Sequence, residues 1–215
     1  MAAPQNRWPD VDHALAYLEK ADTIPHRAEG TAVFVELLPE PVERVLDLGT
    51  GDGRLLDLVL TARPGSSGVG LDLNAEMLAR ARERFVGDDR VVIGEHDLDD
   101  PLPDHGPFDA IVSSFAIHHV ADERKRTLYV ECFDRLRPGG AFLNLEHVAS
   151  PTWGLHEAFL NQLGLDPADD DPSNLLAPVD DQLGWLRDAG FTDVDCHWKW
   201  RELALLVGVR PAADR

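Results

Sequence analysis

Seven residues, Asp47-Leu48-Gly49-Thr50-Gly51-Asp52-Gly53, stand where an apolar run gives way to a helical pattern. Glycines so closely spaced let a backbone turn sharply and approach a ligand that a Cβ would block. A dinucleotide-binding turn would want a third small residue where Arg54 stands, so a pyrophosphate reading fits poorly. Asp47 interrupts the apolar run, and a buried carboxylate is costly unless a cation or N–H donors meet it. It either caps the turn or, with the turn's amides, faces a ligand's ammonium group. Asp72 ends the run SGVGLD, at the spacing where an acid can accept both hydroxyl protons of a ribose. Asp97 follows the run RVVIGE, and Asp99 and Asp100 behind it read as turn residues.

A second set of residues could move protons. His118 and His119 follow the run FDAIVSS, Glu146 and His147 close the run after that, and His156 lies in the next helical segment. Imidazole is the natural base near neutral pH. Adjacent side chains point in different directions, so at most one of His118 and His119 is expected to reach an acceptor. No His-x-x-x-His or His-Glu-x-x-His spacing occurs, and no metal site is expected.

Short apolar runs that alternate with helical patterns must position these groups, the signature of an α/β fold with a parallel sheet. Strands are predicted at 44–49, 67–72, 90–95, 108–113, 140–148, 193–198 and 202–209. Asn74 caps a helix over AEMLARARERF, in which Met77 reads as core packing. Asp122 opens a helix that Pro138-Gly139-Gly140 should stop. Helices are also predicted at 11–21, after Gly30, at 155–163 and at 180–189. The last two bracket the acidic stretch Asp166–Asp171, read either as a lid or as a solvated connection. Trp198-Lys199-Trp200 is placed at the turn of a terminal hairpin, with an aromatic wall for a ligand as the other reading.

Bulk properties narrow the field. At 215 residues and 44% hydrophobic, the chain suits one domain with a real core. Its net charge of −19 repels phosphate backbones and anionic membrane surfaces, so nucleic acid and membranes are not expected partners. Two cysteines, Cys132 and Cys196, make no disulfide scaffold. The opening MAAPQNRWPD carries no hydrophobic signal segment, and a cytoplasmic location is expected.

The run D-x-G-x-G-x-G with Asp72, Asp97 and the later RLRPGG of Arg135–Gly140 resembles the class I S-adenosylmethionine-dependent methyltransferases over about residues 25 to 150. The resemblance implies a Rossmann-like, mostly parallel seven-stranded sheet with helices on both faces and a C-terminal antiparallel hairpin. It divides one domain into a helical cap (1–40), a cofactor-binding core (41–150), lid and substrate helices (151–190) and the hairpin (191–215). It implies S-adenosylmethionine as cofactor, held by Asp47, Gly49, Thr50, Gly51, Gly53, Asp72, Leu73 and Ser114. Asp97 would accept from the adenine amine, and the Leu98 backbone would meet the ring.

Within the family, Ile24-Pro25-His26-Arg27 resembles a segment of the carboxy-S-adenosylmethionine synthases, which implies that Arg27 meets the methionine carboxylate by forked hydrogen bonds. Trp185 stands where those synthases carry an arginine, which favours ordinary methyl transfer. The chain lacks both the Asn/Asp-Pro-Pro-Tyr run and the carboxylates that other relatives carry after the fourth strand. The expectation is methyl transfer to an oxygen or nitrogen of a small molecule, with His118, His119, Glu146 and His147 as candidate catalytic groups. A homodimer is compatible with this reading. Rival readings are a non-catalytic S-adenosylmethionine-binding module, a nicotinamide-dependent oxidoreductase, and a tRNA-modifying enzyme in which Trp198 and Trp200 stack bases.

Overall fold

A computed structural model describes residues 24–212, apart from the side chain of Asp169. The expected helix at 11–21 lies outside the described residues. Seven strands form one sheet in the order β3-β2-β1-β4-β5-β7-β6. They are β1 (Arg44–Leu48), β2 (Ser67–Asp72), β3 (Val91–Glu95), β4 (Phe108–Ser114), β5 (Leu136–His147), β6 (Thr192–Trp200) and β7 (Leu203–Val209). The first five run parallel, and β7 lies antiparallel between β5 and β6. The central strands are buried on both faces, which is why they read as unbroken apolar runs. Among the described residues no helix is long and apolar enough to cross a membrane.

Helices cover both faces. One core joins Leu46, Ile111 and Phe142 of the sheet to Tyr129 of α4 (Asp122–Arg135) and Leu186 of α6 (Val179–Asp188). The other joins Val45, Val112 and Leu205 to Phe34 of α1 (Arg27–Leu37), Leu56 of α2 (Arg54–Ala62) and Phe159 of α5 (Trp153–Gln162). Among the described residues the remaining α-helix, α3 (Ala75–Arg84), is capped by Asn74, whose side chain accepts from the Glu76 and Met77 amides. β2 and β4 flank β1 on opposite sides, so the crevice beyond the carboxyl ends of these strands is where such folds take ligands.

Three expectations needed correction. β5 begins at Leu136 and runs through Pro138-Gly139-Gly140, which therefore does not separate helix from strand. The β4–β5 register is irregular between Phe108 and Ala110, opposite this segment, and a proline is tolerated at such an irregularity. α1 starts at Arg27, not after Gly30. Trp198 and Trp200 belong to β6, and the hairpin turns after them. The Trp198 ring lies against Gly30, and Trp200 stacks near His26 and Phe159, so both rings dock α1 and α5 on the sheet.

Asp47 is the one acid within β1, and it is fully buried. Its Oδ2 accepts the Thr50 hydroxyl at 2.7 Å, which ties the strand to the turn that follows, while Oδ1 has no close partner. Burial raises its pKa to about 7, reinforced by the charges of Asp72 and Asp52 and opposed by the Thr50 hydroxyl. The folded state then keeps a proton that the unfolded chain releases near 3.8, so this residue's contribution to stability falls as pH rises towards 7.

Two outcomes follow from this packing. Between about pH 4 and pH 8, wild type should lose on the order of a few kcal/mol relative to Asp47→Asn in urea unfolding; a constant difference would contradict a protonated Asp47. In Gly30→Ala, the added Cβ would lie 2.7 Å from the Trp198 ring, which outweighs the gain in helix propensity. The variant should be destabilised by about 1–3 kcal/mol, and an unchanged urea midpoint would contradict this packing.

Candidate functional site

Five segments converge on one cleft at the carboxyl edge of the sheet: Arg27 of α1 and the turns after β1, β2, β3 and β4. Its empty space, counted out to the open mouth, is about 950 Å³. The turn after β1 is possible only with glycines. Gly49 and Gly51 have φ of 68° and 55°, and a Cβ on Gly49 would fall 2.1 Å from that of Ala116 in the β4 turn. A Cβ on Gly51 would meet only open space, so it is the left-handed backbone there that calls for glycine.

Asp72 anchors this turn to the next strand. Its Oδ2 accepts the Gly51 amide at 2.8 Å and its Oδ1 accepts the Asn74 amide at 2.8 Å. Burial raises its pKa, against the pull of those amides. The Thr50 amide donates to the Leu71 carbonyl, closing the same junction. Asp97 accepts the Asp99 amide at 3.0 Å. Arg124 of α4 pins this third turn, donating to the Leu98 and Asp100 carbonyls while paired with Glu131 at 2.6 Å.

β4 ends in Ser114 and then Phe115, a non-glycine residue at φ 54°, an uncommon conformation that clusters at functional sites. The Arg27 guanidinium lies 4.8 Å above the Phe115 ring. Of the residues singled out as cofactor-binding, Arg27, Gly49, Thr50, Gly51, Asp72, Leu73, Asp97, Leu98 and Ser114 line the cleft. Asp47 lies beneath it, and Gly53 is the N-cap of α2, packed against Phe85. Sequence reasoning missed Asp52, Leu55, His96, Phe115, Ala116 and Val120, and it took Met77 for core alone although Met77 both packs and lines. Arg54, noted only as a misfit, lines the cleft too. His96 and Phe115 adjoin residues already singled out, which is the signal that could have found them.

The candidate catalytic groups are separated by the structure. Only His119 lines the cleft, with Nδ1 at 3.3 Å from both the carbonyl and the hydroxyl oxygen of Ser173. Burial, then the neighbouring His118, depresses its pKa to about 2, so the ring is neutral. His118 is buried behind it, with Nδ1 2.7 Å from Glu146. Burial holds His118 well below the usual imidazole range. A neutral His118 donates to Glu146, which also accepts from the Asn144 side chain and the His147 amide. His147 faces Glu202 at 2.9 Å. His118, Glu146 and His147 thus form a polar layer under the cleft wall and are not among the residues that line it.

Residues 45–140 match the family described as a methyltransferase domain. Over 174 residues the chain is 34% identical to phosphoethanolamine N-methyltransferase 1 of Zea mays, covering 78% of this chain and 32% of that protein. Over 113 residues it is 34% identical to a demethylmenaquinone methyltransferase of Clavibacter sepedonicus, covering 53% of this chain and 44% of the relative. The chain therefore spans less than half the length of these two relatives. Among solved structures, the methyltransferase in complex with the Haloferax volcanii Trm112 methyltransferase activator superposes with a TM-score of 0.71 at 22% identity, covering 98% of this chain and all of that one. An O-methyltransferase family protein from Burkholderia thailandensis gives 0.68 at 20% identity, covering 97% and 69%. At such identities the structural likeness speaks for the fold. Together with the glycine turn and the acids at successive strand ends, the matches support a class I S-adenosylmethionine-dependent methyltransferase domain over residues 45–140.

Proposed function

We propose that this chain binds S-adenosylmethionine in the cleft and transfers its methyl group to an oxygen or nitrogen of a small molecule. The observation that carries this reading is the set of charged and apolar groups that line the cleft. Arg27 and Arg54 supply guanidinium groups that suit a carboxylate, while Asp72 and Asp97 supply acceptors for ribose hydroxyls and an adenine amine. Leu73, Met77, Leu98 and Val120 offer apolar surface for a purine ring. The open space beside Gly51 and the remaining lone pairs of Asp72 fit such a molecule.

When bound, the cofactor supplies an activated methyl electrophile on its sulfonium. The protein's part is then mainly alignment and exclusion of water. Asp72 fixes the glycine turn while it meets the ribose. Phe115, held in its left-handed conformation, presents its ring beneath Arg27. His119 is the candidate group at the reacting end. Neutral and in contact with the acidic loop, it can hold or orient an acceptor's N–H or O–H; a strongly depressed basicity suits it to hydrogen bonding more than to storing a proton. The net charge of −19 favours a small acceptor over a nucleic acid.

S-adenosylhomocysteine at about a hundred times its Kd should stabilise the folded chain by about 2.7 kcal/mol, read as a rise in Tm. Asp97→Ala, which removes no bond between strands, should lose most of that rise, and Asp72→Ala all of it. Incubation of a metabolite extract with donor labelled in the methyl group should yield a labelled small molecule. A cofactor-binding chain that labels nothing in such extracts would count instead for a non-catalytic module.

A further inference from the structure

The acidic run Asp166–Asp171 lies in the connection between α5 and α6, and this connection is closely held. The Leu175 amide donates to the His118 carbonyl at 2.8 Å, and the Ala149 amide donates to the Ala177 carbonyl at 3.0 Å. Lys125, fully buried in α4, donates to the Leu175 carbonyl and pairs with Asp122. These bonds fix the end of the connection nearest α6. The acidic end is held differently.

His156 of α5 has a carboxylate at each ring nitrogen. Its Nδ1 lies 3.0 and 3.2 Å from the two oxygens of Glu202, and its Nε2 lies 3.3 Å from Oδ2 of Asp170. A neutral imidazole has one N–H and one lone pair, so one carboxylate would face the lone pair; only the imidazolium offers a proton to both. The groups around the ring are Glu202 from the β6–β7 turn, Asp170 from the connection and the Trp153 ring from α5, with His147 of β5 on the far side of Glu202. Burial works to raise the Glu202 pKa, but hydrogen bonds from His147, Ser150 and His156 hold it below the usual range, so it stays ionised. The other oxygen of Asp170 accepts the Asp171 amide at 3.0 Å and the Asn174 side chain at 3.4 Å, which ties the loop's own backbone to this carboxylate.

We propose that protonated His156 is a latch: gripping Asp170 against Glu202, it holds the acidic loop shut, and loss of its proton lets the segment 166–173 lift. The latch reaches the cleft through Ser173, which is buried and contacts His119 in the cleft wall. Asp170 and His156 are therefore positioning residues for that wall, outside the cleft itself. The device does not depend on which molecule the cleft accepts.

Hydrogen exchange read by mass spectrometry on the full chain, with no ligand added, tests it. Rates are normalised to the unfolded chain at each pH. Protection in peptides spanning 164–176 should drop about tenfold or more from pH 6 to pH 8.5, while peptides of β1 and β5 keep theirs. Asp170→Asn should erase the difference between the two pH values, and His156→Gln should show the low protection at both. A ¹⁵N-imidazole NMR titration, with His156 assigned from His156→Gln or by sequential connectivities, should show both ring nitrogens protonated at pH 6. Equal wild-type protection at both pH values, a full pH response in Asp170→Asn, or a single N–H on His156 at pH 6 would each overturn the latch. Should His156→Gln fail to fold, Asp170→Asn and the wild-type titration still decide the matter.

Discussion

One carboxylate holds the cleft together. Asp72 takes the Gly51 amide on one oxygen and the Asn74 amide on the other, so the turn after β1 and the cap of α3 share a single anchor. Together with the Thr50 amide on the Leu71 carbonyl, it sets the distance between the glycine turn and Leu73 or Met77 across the cleft. The Thr50 bridges to Asp47 below and to Leu71 beside it complete the junction. Acids at the ends of neighbouring strands thus act first as scaffolding, and the lone pairs they have left are what a ligand can use. Structure and binding draw on the same atoms.

The histidines divide along similar lines. His119 stands in the cleft wall, whereas His118, His147 and His156 belong to two buried or half-buried carboxylate pairings around Glu146 and Glu202. Such polar networks are costly unless every member finds a partner, and they specify one arrangement when satisfied. Here they hold β5, the β6–β7 turn, α5 and the acidic loop in mutual register. A chain with a net charge of −19 gains little from general electrostatic attraction between its parts, so local pairs of this kind must set where its acidic loop rests.

Much of this could be read from the chain alone because the parallel strands are buried on both faces and appear as continuous apolar runs. Asn74 was legible as a cap, and Asp72 and Asp97 as strand-end acids, because each depends only on local spacing. What could not be read depended on distant partners. β5 begins at Leu136 because Phe108 pairs with it there, a fact invisible beside Pro138. Which of His118 and His119 faces the cleft is decided by the short helical turn Ile117–His119 and by Glu146 some distance along the chain. The two tryptophans of β6 are shaped by Gly30 and Phe159, on helices far away in sequence.

A crystal structure of the chain with S-adenosylhomocysteine tests most directly whether the carboxyl edge of the first three strands grips an adenosyl compound. The ribose hydroxyls are expected on Asp72, the adenine between Leu98 and Val120 with its amine towards Asp97, and the amino-acid end near Arg27. Density for the ligand at another site, or bound with the adenine away from Asp97, would contradict it.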